Sequence, residues 1–394
     1  MTIDAGDLAE RLRGLDGIGV GRDGAVNRLA WTAEDEAARA WFAAQAAGIG
    51  RRVERDPAGN LWAVPDGAPP WWAVGSHLDS VRDGGSFDGP LGVAAAFAVA
   101  ARSAQPLAVV SFADEEGARF NTPTFGSRAL VGRLDVDEVL ARRDDDGVTL
   151  RDALAAAGVE PDGLPAAPAA LDRIAGFVEL HIDQTRELAN AHAPVGVVRS
   201  LAARLRLQVD IHGQADHAGT TSRAERRDAM SAAARLIVAA EDLAATEPHF
   251  VVTAARIHVE PNALTTIPAH VRLWIDARAP EAVAVDRWRE RLEESARAMT
   301  AVQIAITTAS QSAGIEFDAG VRQALREAAG DPVPELICFA GHDAGVVAER
   351  RPAGMVFVRN PTGISHSPEE QVDLEDAAAA ATVMRRALER LSAA

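Results

Sequence analysis

The 394-residue sequence contains no tyrosine and no lysine, so arginine supplies all 40 of its basic side chains. Without lysine, Schiff-base chemistry through a side-chain amine is excluded. Cysteine occurs once, at Cys338. No intrachain disulfide can form, and a reducing cytoplasmic setting is expected. Cys338 ends an apolar stretch and reads as packing rather than chemistry. Positive charge is short: 57 acidic residues give a formal net charge of −17. That balance repels a phosphate backbone and argues against nucleic acid. Long hydrophobic runs are also missing. The Ala/Val-rich run 91–100 is too short and too closely flanked by charge to span a bilayer. Met1-Thr2-Ile3-Asp4 has no basic segment leading into an apolar core, so no secretory signal is expected. No fixed-period repeat or long low-complexity linker is visible.

What remains is a globular composition, 48% hydrophobic, on a chain long enough to favour two domains over one core. Helical spacing is expected at 5–15 and 33–48, the second opened by Thr32 with Glu34 and Asp35 in its first turn. Residues 53–64 read as a hairpin turning at Asp56-Pro57-Ala58-Gly59-Asn60. A buried strand at 71–76, a polar loop at 77–90, a helix from about 90 to 103 and a strand at 107–112 follow. This rhythm is that of an α/β domain whose ligands sit beyond the strand ends. From about residue 203 the pattern changes to half-exposed strands (204–212, 251–259, 270–278, 302–308) and helices (226–246, 287–299). Strand-helix-strand-strand-helix-strand predicts a small α+β sandwich, inserted at 203–314 between catalytic segments 1–202 and 315–394. The chain then returns to α/β texture, with a helix at 317–329, strands at 335–340 and 354–358, and a final helix at 371–392.

Metal-ligand side chains follow four separate apolar strands. They are His77, Asp79 and Asp88; Glu115 and Glu116; His181; and His366. Singly each reads as a satisfied or surface residue. Four occurrences at one sheet edge point to a divalent-metal site, because these loops converge at the carboxyl ends of the strands. Three histidines with carboxylates can serve two ions if one carboxylate bridges. One of the adjacent glutamates can ligate while the other acts as general base. Asp79, two residues from His77, suits the role of fixing the imidazole tautomer.

These residues resemble the dinuclear-metal amidohydrolases that include N-carbamoyl-L-amino-acid hydrolases, allantoate amidohydrolases and β-ureidopropionases, relatives of the zinc aminopeptidases. The resemblance runs almost end to end. It rests on Asn27-Arg28-Leu29-Ala30, Gly75-Ser76-His77-Leu78-Asp79-Ser80, Phe87-Asp88-Gly89 and Glu115-Glu116-Gly117-Ala118-Arg119-Phe120. Further on it includes Glu179-Leu180-His181-Ile182-Asp183-Gln184, His217-Ala218-Gly219-Thr220-Thr221, Gly341-His342-Asp343-Ala344 and Ile364-Ser365-His366-Ser367-Pro368-Glu369-Glu370. It implies a metallopeptidase-like catalytic domain with a mixed sheet between helices, and an inserted lid that also dimerises. One ion would be held by His77, Asp88 and His181, the other by Asp88, Glu116 and His366, with zinc, manganese, cobalt or nickel all admissible. Glu115 would be the general base and Asp79 the partner of His77. His217 would reach a partner subunit's site and stabilise an oxyanion. Arg278 would grip a substrate carboxylate bidentately, with Gln184 touching substrate beside His181.

The sequence departs from that pattern around the substrate. Thr265 stands where the family has an asparagine before Val-Ile-Pro, and would offer one hydroxyl beside Arg278. Thr185 replaces the glycine after Gln184, Ser222 a proline after the His217 loop, and Arg82 a proline after Ser80-Val81. Arg199-Ser200-Leu201-Ala202-Ala203 replaces a segment containing glycine. The expected activity is metal-dependent hydrolysis of a carbamoyl or ureido C–N bond in a small acid, such as an N-carbamoyl-L-amino acid or allantoate. A dipeptidase or aminoacylase-like reading uses the same metal site with another pocket. A binding protein on the same fold is the reading of a different class, against which the survival of all five ligand positions argues.

Overall fold

The computed structural model describes residues 2–330 and 332–392. Its strands in chain order are β1 (Arg52–Arg55), β2 (Leu61–Val64), β3 (Trp71–His77), β4 (Leu107–Phe112), β5 (Ile174–Ile182), β6 (Val195–Leu201) and β7 (Ala203–His212). They continue with β8 (Val251–Glu260), β9 (His270–Ala279), β10 (Gln303–Ser312), β11 (Ile315–Glu316), β12 (Glu335–Cys338) and β13 (Ala353–Val358). The chain divides into two compact units. One holds Met1–Arg199, Phe317–Leu336 and Gly341–Ala394; the other holds Ser200–Glu316 and Ile337–Ala340.

In the first unit the strands lie in the order β1-β2-β4-β3-β5-β13-β6, with β12 also paired to β6. β4, β3, β5 and β13 run parallel, while β1, β2 and β6 pair antiparallel at the flanks. Parallel strands are buried on both faces, which is why they read as continuous apolar runs rather than alternating ones. β4 and β13 are buried at every position. The helix Pro90–Arg102 packs into the core with Phe97, Val93 and Leu91 fully buried. It can lie close to the sheet because a Cβ on Gly92 would stand only 2.3 Å from the Leu180 carbonyl oxygen. The final helix, Leu374–Leu391, is capped by Asp373 and adds Ala377, Ala381, Met384 and Leu388 to the same core.

A satellite core around Trp31, Phe120 and Phe125 is closed by the short helices Phe125–Leu130, Val136–Ala141 and Leu150–Ala156 and a 3-10 stretch, Pro161–Arg173. Residues 125–173 carry no long amphipathic period, and Pro165 and Pro168 deny the 3-10 stretch a regular α-helical ladder.

The second unit is an antiparallel sheet in the order β10-β7-β9-β8 with helices Ala229–Ala244 and Ala282–Arg297 on one face. β7 and β9 alternate strictly, sending Leu205, Leu207, Val209 and Ile211 with Val271, Leu273 and Ile275 into the core with Leu236, Trp288 and Leu292. Their other side chains, mostly charged or polar, form the second face. Among the described residues no helix is long and apolar enough to cross a membrane.

Candidate metal centre

The parallel strands deliver the expected residues to one edge of the sheet. β3 ends on His77, paired in register with Phe112 of β4, and Glu115 and Glu116 follow within four residues of that strand. His181 is the penultimate residue of β5, level with Phe357 of β13. His366 lies on the loop after β13. Asp88 immediately precedes Gly89, which caps the helix Pro90–Arg102 with φ +87°. Only glycine suits that position, since a Cβ there would stand 2.5–2.7 Å from the His77 ring atoms.

Asp88 joins the histidines. Its Oδ1 lies 3.4 Å from His77 Nε2 and 3.0 Å from His181 Nε2, while its Oδ2 lies 3.5 Å from His366 Nε2. His366 Nε2 is also 3.5 Å from Glu116 Oε1. Donor atoms lie within 4.8 Å of one another in each of the sets His77/Asp88/His181, Asp88/Glu116/His366 and His77/Glu115/Glu116.

The chemistry of these donors fits a metal. His77 Nδ1 lies 3.0 Å from the Asp79 carbonyl oxygen and His181 Nδ1 lies 3.0 Å from that of Ile182. A carbonyl only accepts, so Nδ1 carries a proton on both rings, and a cation replacing the second proton would meet the Nε2 lone pair on the side of Asp88. Both Nε2 atoms are buried and neither contact with Asp88 is aligned as a hydrogen bond, so both lack a hydrogen-bond partner. A cation shared by two imidazoles and a carboxylate satisfies all three, as at zinc sites. Asp79 acts through two groups. Its carbonyl orients the His77 ring, while its carboxylate, 3.7 Å from Nδ1, accepts the backbone N–H groups of Glu115 (3.1 Å) and Glu116 (3.0 Å).

Crowding of like charge in a buried space displaces the titrations. Burial pushes the Glu115 carboxyl well above its ordinary range, with Asp343, Glu116 and Asp79 adding to it against His77. Glu116 is raised to about 8 by burial and then by Asp88. Burial opposes a charge on His181, but Asp88 and Glu179 outweigh it and hold the imidazole at about 9. His77 is likewise raised, its burial outweighed by Asp88, Glu115 and Asp79. Burial would raise Asp88, yet His181 and His77 hold it well below its usual value. The metal-free cluster therefore keeps protons where cations would sit.

Further groups hold Asp88. Gln184 Nε2 and Ser365 Oγ donate to its Oδ2 at 2.8 and 2.7 Å, and its backbone N–H donates to Glu370 Oε1 at 2.9 Å. Gln184 itself rides on a turn whose centre is Asp183, a carboxylate accepting from Thr185 N, Thr185 Oγ1 and Leu188 N.

The model of peptidase family M20/M25/M40 matches residues 63–390. The chain belongs to this family. An N-carbamoyl-L-amino acid amidohydrolase of Geobacillus stearothermophilus is 38% identical, the match covering 96% of this chain and 96% of that one. An allantoate amidohydrolase of Bacillus subtilis is 29% identical, with 92% of each chain covered. The crystal structure of a hydantoinase/carbamoylase family amidase from Burkholderia multivorans superposes with a TM-score of 0.85 at 30% identity, over 98% of this chain and 97% of that chain.

The remaining candidate residues of this M20-family chain lie in the second unit. His217 is exposed, and its Nδ1 accepts the backbone N–H groups of Gly219 (3.0 Å) and Thr220 (3.1 Å). That fixes the ring proton on the outward Nε2. Thr265, next to the isolated His217–Thr266 bridge, is exposed and takes the Ala218 N–H on its carbonyl at 2.9 Å. Arg278 donates from Nε to Asp276 at 2.8 Å and from Nη1 to the Phe339 carbonyl.

The structure also brings in residues to which the sequence assigns no role. His342 is 3% exposed, its ring centroid 4.4 Å from that of His181. Burial and the neighbouring His181 hold it well below the usual imidazole range, and both its nitrogens lack partners. Glu179, fully buried, ties Ser76 Oγ (2.8 Å) to the Ala344 N–H (2.9 Å). The Gly341-His342-Asp343-Ala344 motif after β12 was the available signal.

Proposed function

We propose that the protein is a hydrolase of linear amides that depends on two divalent ions, cleaving a carbamoyl or ureido C–N bond in a small acid such as an N-carbamoyl-L-amino acid or allantoate. The observation that carries this reading is Asp88, which turns one oxygen to the His77/His181 pair and the other to His366 with Glu116 beside it. The named activities of the relatives supply the substrate class. His77, Asp88 and His181 would hold one ion, and Asp88, Glu116 and His366 the other, with zinc, manganese, cobalt and nickel all compatible with the donors. When bound, the ions supply Lewis-acid polarisation of the scissile carbonyl.

The side chains provide the rest. Glu115 stands beside His77 and is not needed as a ligand in either of those sets; it takes a proton from the attacking water and returns it to the leaving nitrogen. Asp79 fixes both glutamates through their backbone N–H groups. His217, with its Nε2–H facing outward, donates to the developing oxyanion, and in a homodimer it serves the partner's site. Arg278 receives the substrate carboxylate, with Thr265 beside it, and Gln184 contacts substrate near His181. The second unit then works as a lid and dimerisation module, and the lone buried Cys338 suits a cytoplasmic enzyme.

A panel of N-carbamoyl-L-amino acids, allantoate, N-acyl-amino acids and dipeptides, each assayed with zinc, manganese, cobalt and nickel, tests the reading. Ammonia release from ureido acids is expected. Turnover confined to dipeptides would replace it with a peptidase.

A further inference from the structure

A second group of metal-ligating side chains lies entirely in the second unit, on the sheet face away from its helices. His212, the last residue of β7, is the direct cross-strand partner of His270, the first of β9. Their rings stack at a centroid separation of 4.5 Å and an interplanar angle of 10°. Asp210 stands two residues before His212, so its side chain emerges on the same face. Its Oδ1 is 3.1 Å from His270 Nε2. One ligand atom from each of Asp210, His212 and His270 lies within 4.8 Å of the others. Neighbouring ligands of a tetrahedral zinc ion stand about 3.4 Å apart, given bonds near 2.1 Å, so the Asp210–His270 pair already has the right spacing. His212 is exposed, and turning its ring off the His270 stack would close the remaining gap.

We propose that Asp210, His212 and His270 form a further site for a divalent transition ion of the zinc, nickel or cobalt class. Two imidazoles with one carboxylate select such ions over calcium or magnesium, which prefer oxygen ligands. Asp210 accepts from Gln208 Nε2 at 2.8 Å and from Arg272 Nε at 2.7 Å as well as facing His270. Arg272 Nε sits 2.7 Å from the same Oδ1 and is the competitor that an entering ion displaces. The site is therefore labile rather than permanently filled.

Its position gives it a use. Beyond His212 and His270 the two chain segments continue as a ribbon. Gly213 N bonds to Ala269 O at 2.7 Å, Ile267 N to Asp216 O at 2.8 Å and Ala218 N to Thr265 O at 2.9 Å. The ribbon carries His217 and Thr265. An ion bridging His212 to His270 staples its base, restrains its opening and tunes how firmly His217 is presented.

The test counts zinc on the 394-residue chain by equilibrium dialysis. His212→Asn/His270→Asn should bind one equivalent fewer than the unaltered chain. Arg272→Gln keeps both imidazoles, frees Asp210 and should tighten that extra equivalent by about tenfold, in the range by which neighbours tune metal affinity. Zinc should also slow hydrogen exchange at residues 213–218 in the unaltered chain and not in the double variant. Equal stoichiometry in the double variant and the unaltered chain overturns the proposal, as does an unchanged affinity in Arg272→Gln. Neither outcome depends on turnover, so both are separable from the amidohydrolase reading.

Discussion

Glu115 and Glu116 are neighbours in the chain with different surroundings. Glu116 is within 3.5 Å of His366, whereas Glu115 lies in the buried field of His77 and the surrounding acids. Glu115→Gln keeps the shape and removes the base. Turnover should fall by about 10²–10⁴-fold, the usual worth of a positioned general base, while metal content by elemental analysis stays that of the unaltered chain. Undiminished turnover would remove Glu115 from that role. At this scale the sequence is most legible for His77, Glu115, Glu116 and His181, because each lies at or just beyond an apolar strand end. It is least legible for His342 and Glu179. Their importance comes from burial against His181 and from bonds to Ser76 and Ala344, which are distant in the chain. Asp79 lies between these cases. Its spacing from His77 places it correctly, yet its carboxylate spends its bonds on the glutamates and only its carbonyl holds the ring.

Among elements, the helix Pro90–Arg102 and its approach decide how Asp88 meets His77. Gly89→Ala would force an L side chain into positive φ and against the imidazole. The strain expected is about 1–3 kcal/mol, read as a lower thermal midpoint, together with weaker metal retention in a chelator competition. A midpoint and metal affinity equal to those of the unaltered chain would show that the turn has room the geometry denies. The one helix start expected from its cap, after Thr32, is found at Ala33, and Asp228, Asp318 and Asp373 also accept a backbone N–H at a helix start. The last three place their helices at Ala229, Ala319 and Leu374, two or three residues after the expected 226, 317 and 371, because the capping aspartate rather than the apolar period sets the first turn. The stretch 125–173 is not legible in the sequence, since elements of six or seven residues show too few turns for a period to emerge.

For the whole molecule, the titrations of the cluster add up. Glu116 is raised from 4.5 to about 8 and His181 from 6.5 to about 9 in the folded chain. A group raised on folding stabilises fully below its unfolded pKa and loses that contribution as pH climbs through the folded one. His342, displaced downward, has no further effect above its ordinary value. Between pH 7 and 9 the site's shifts therefore agree: the chelator-stripped protein should lose stability as pH rises, and saturating zinc should flatten the trend. Thermal midpoints across that window, with and without metal, measure it; a flat metal-free profile would contradict it. Assembly is tested by mixing. If His217 serves the partner's site, Glu115→Gln and His217→Asn chains, each inactive alone, should recover about a quarter of full activity after subunit exchange in a two-fold dimer. No recovery, with exchange verified, would confine each site to one chain.

The two oxygens of Asp88 ask different things of an arriving ion. On the Oδ1 side the His77 and His181 side chains are 1% and 0% exposed and their Nε2 atoms face only Asp88, so an ion there would displace only protons. On the Oδ2 side Gln184 and Ser365 already donate, and His366 is 48% exposed. An ion there must break two bonds and remains within reach of solvent. If the proposed pair of ions binds as assigned, the buried position should fill first and empty last. The inner ion would then report the cell in which the chain folded, and the outer one the last buffer it met.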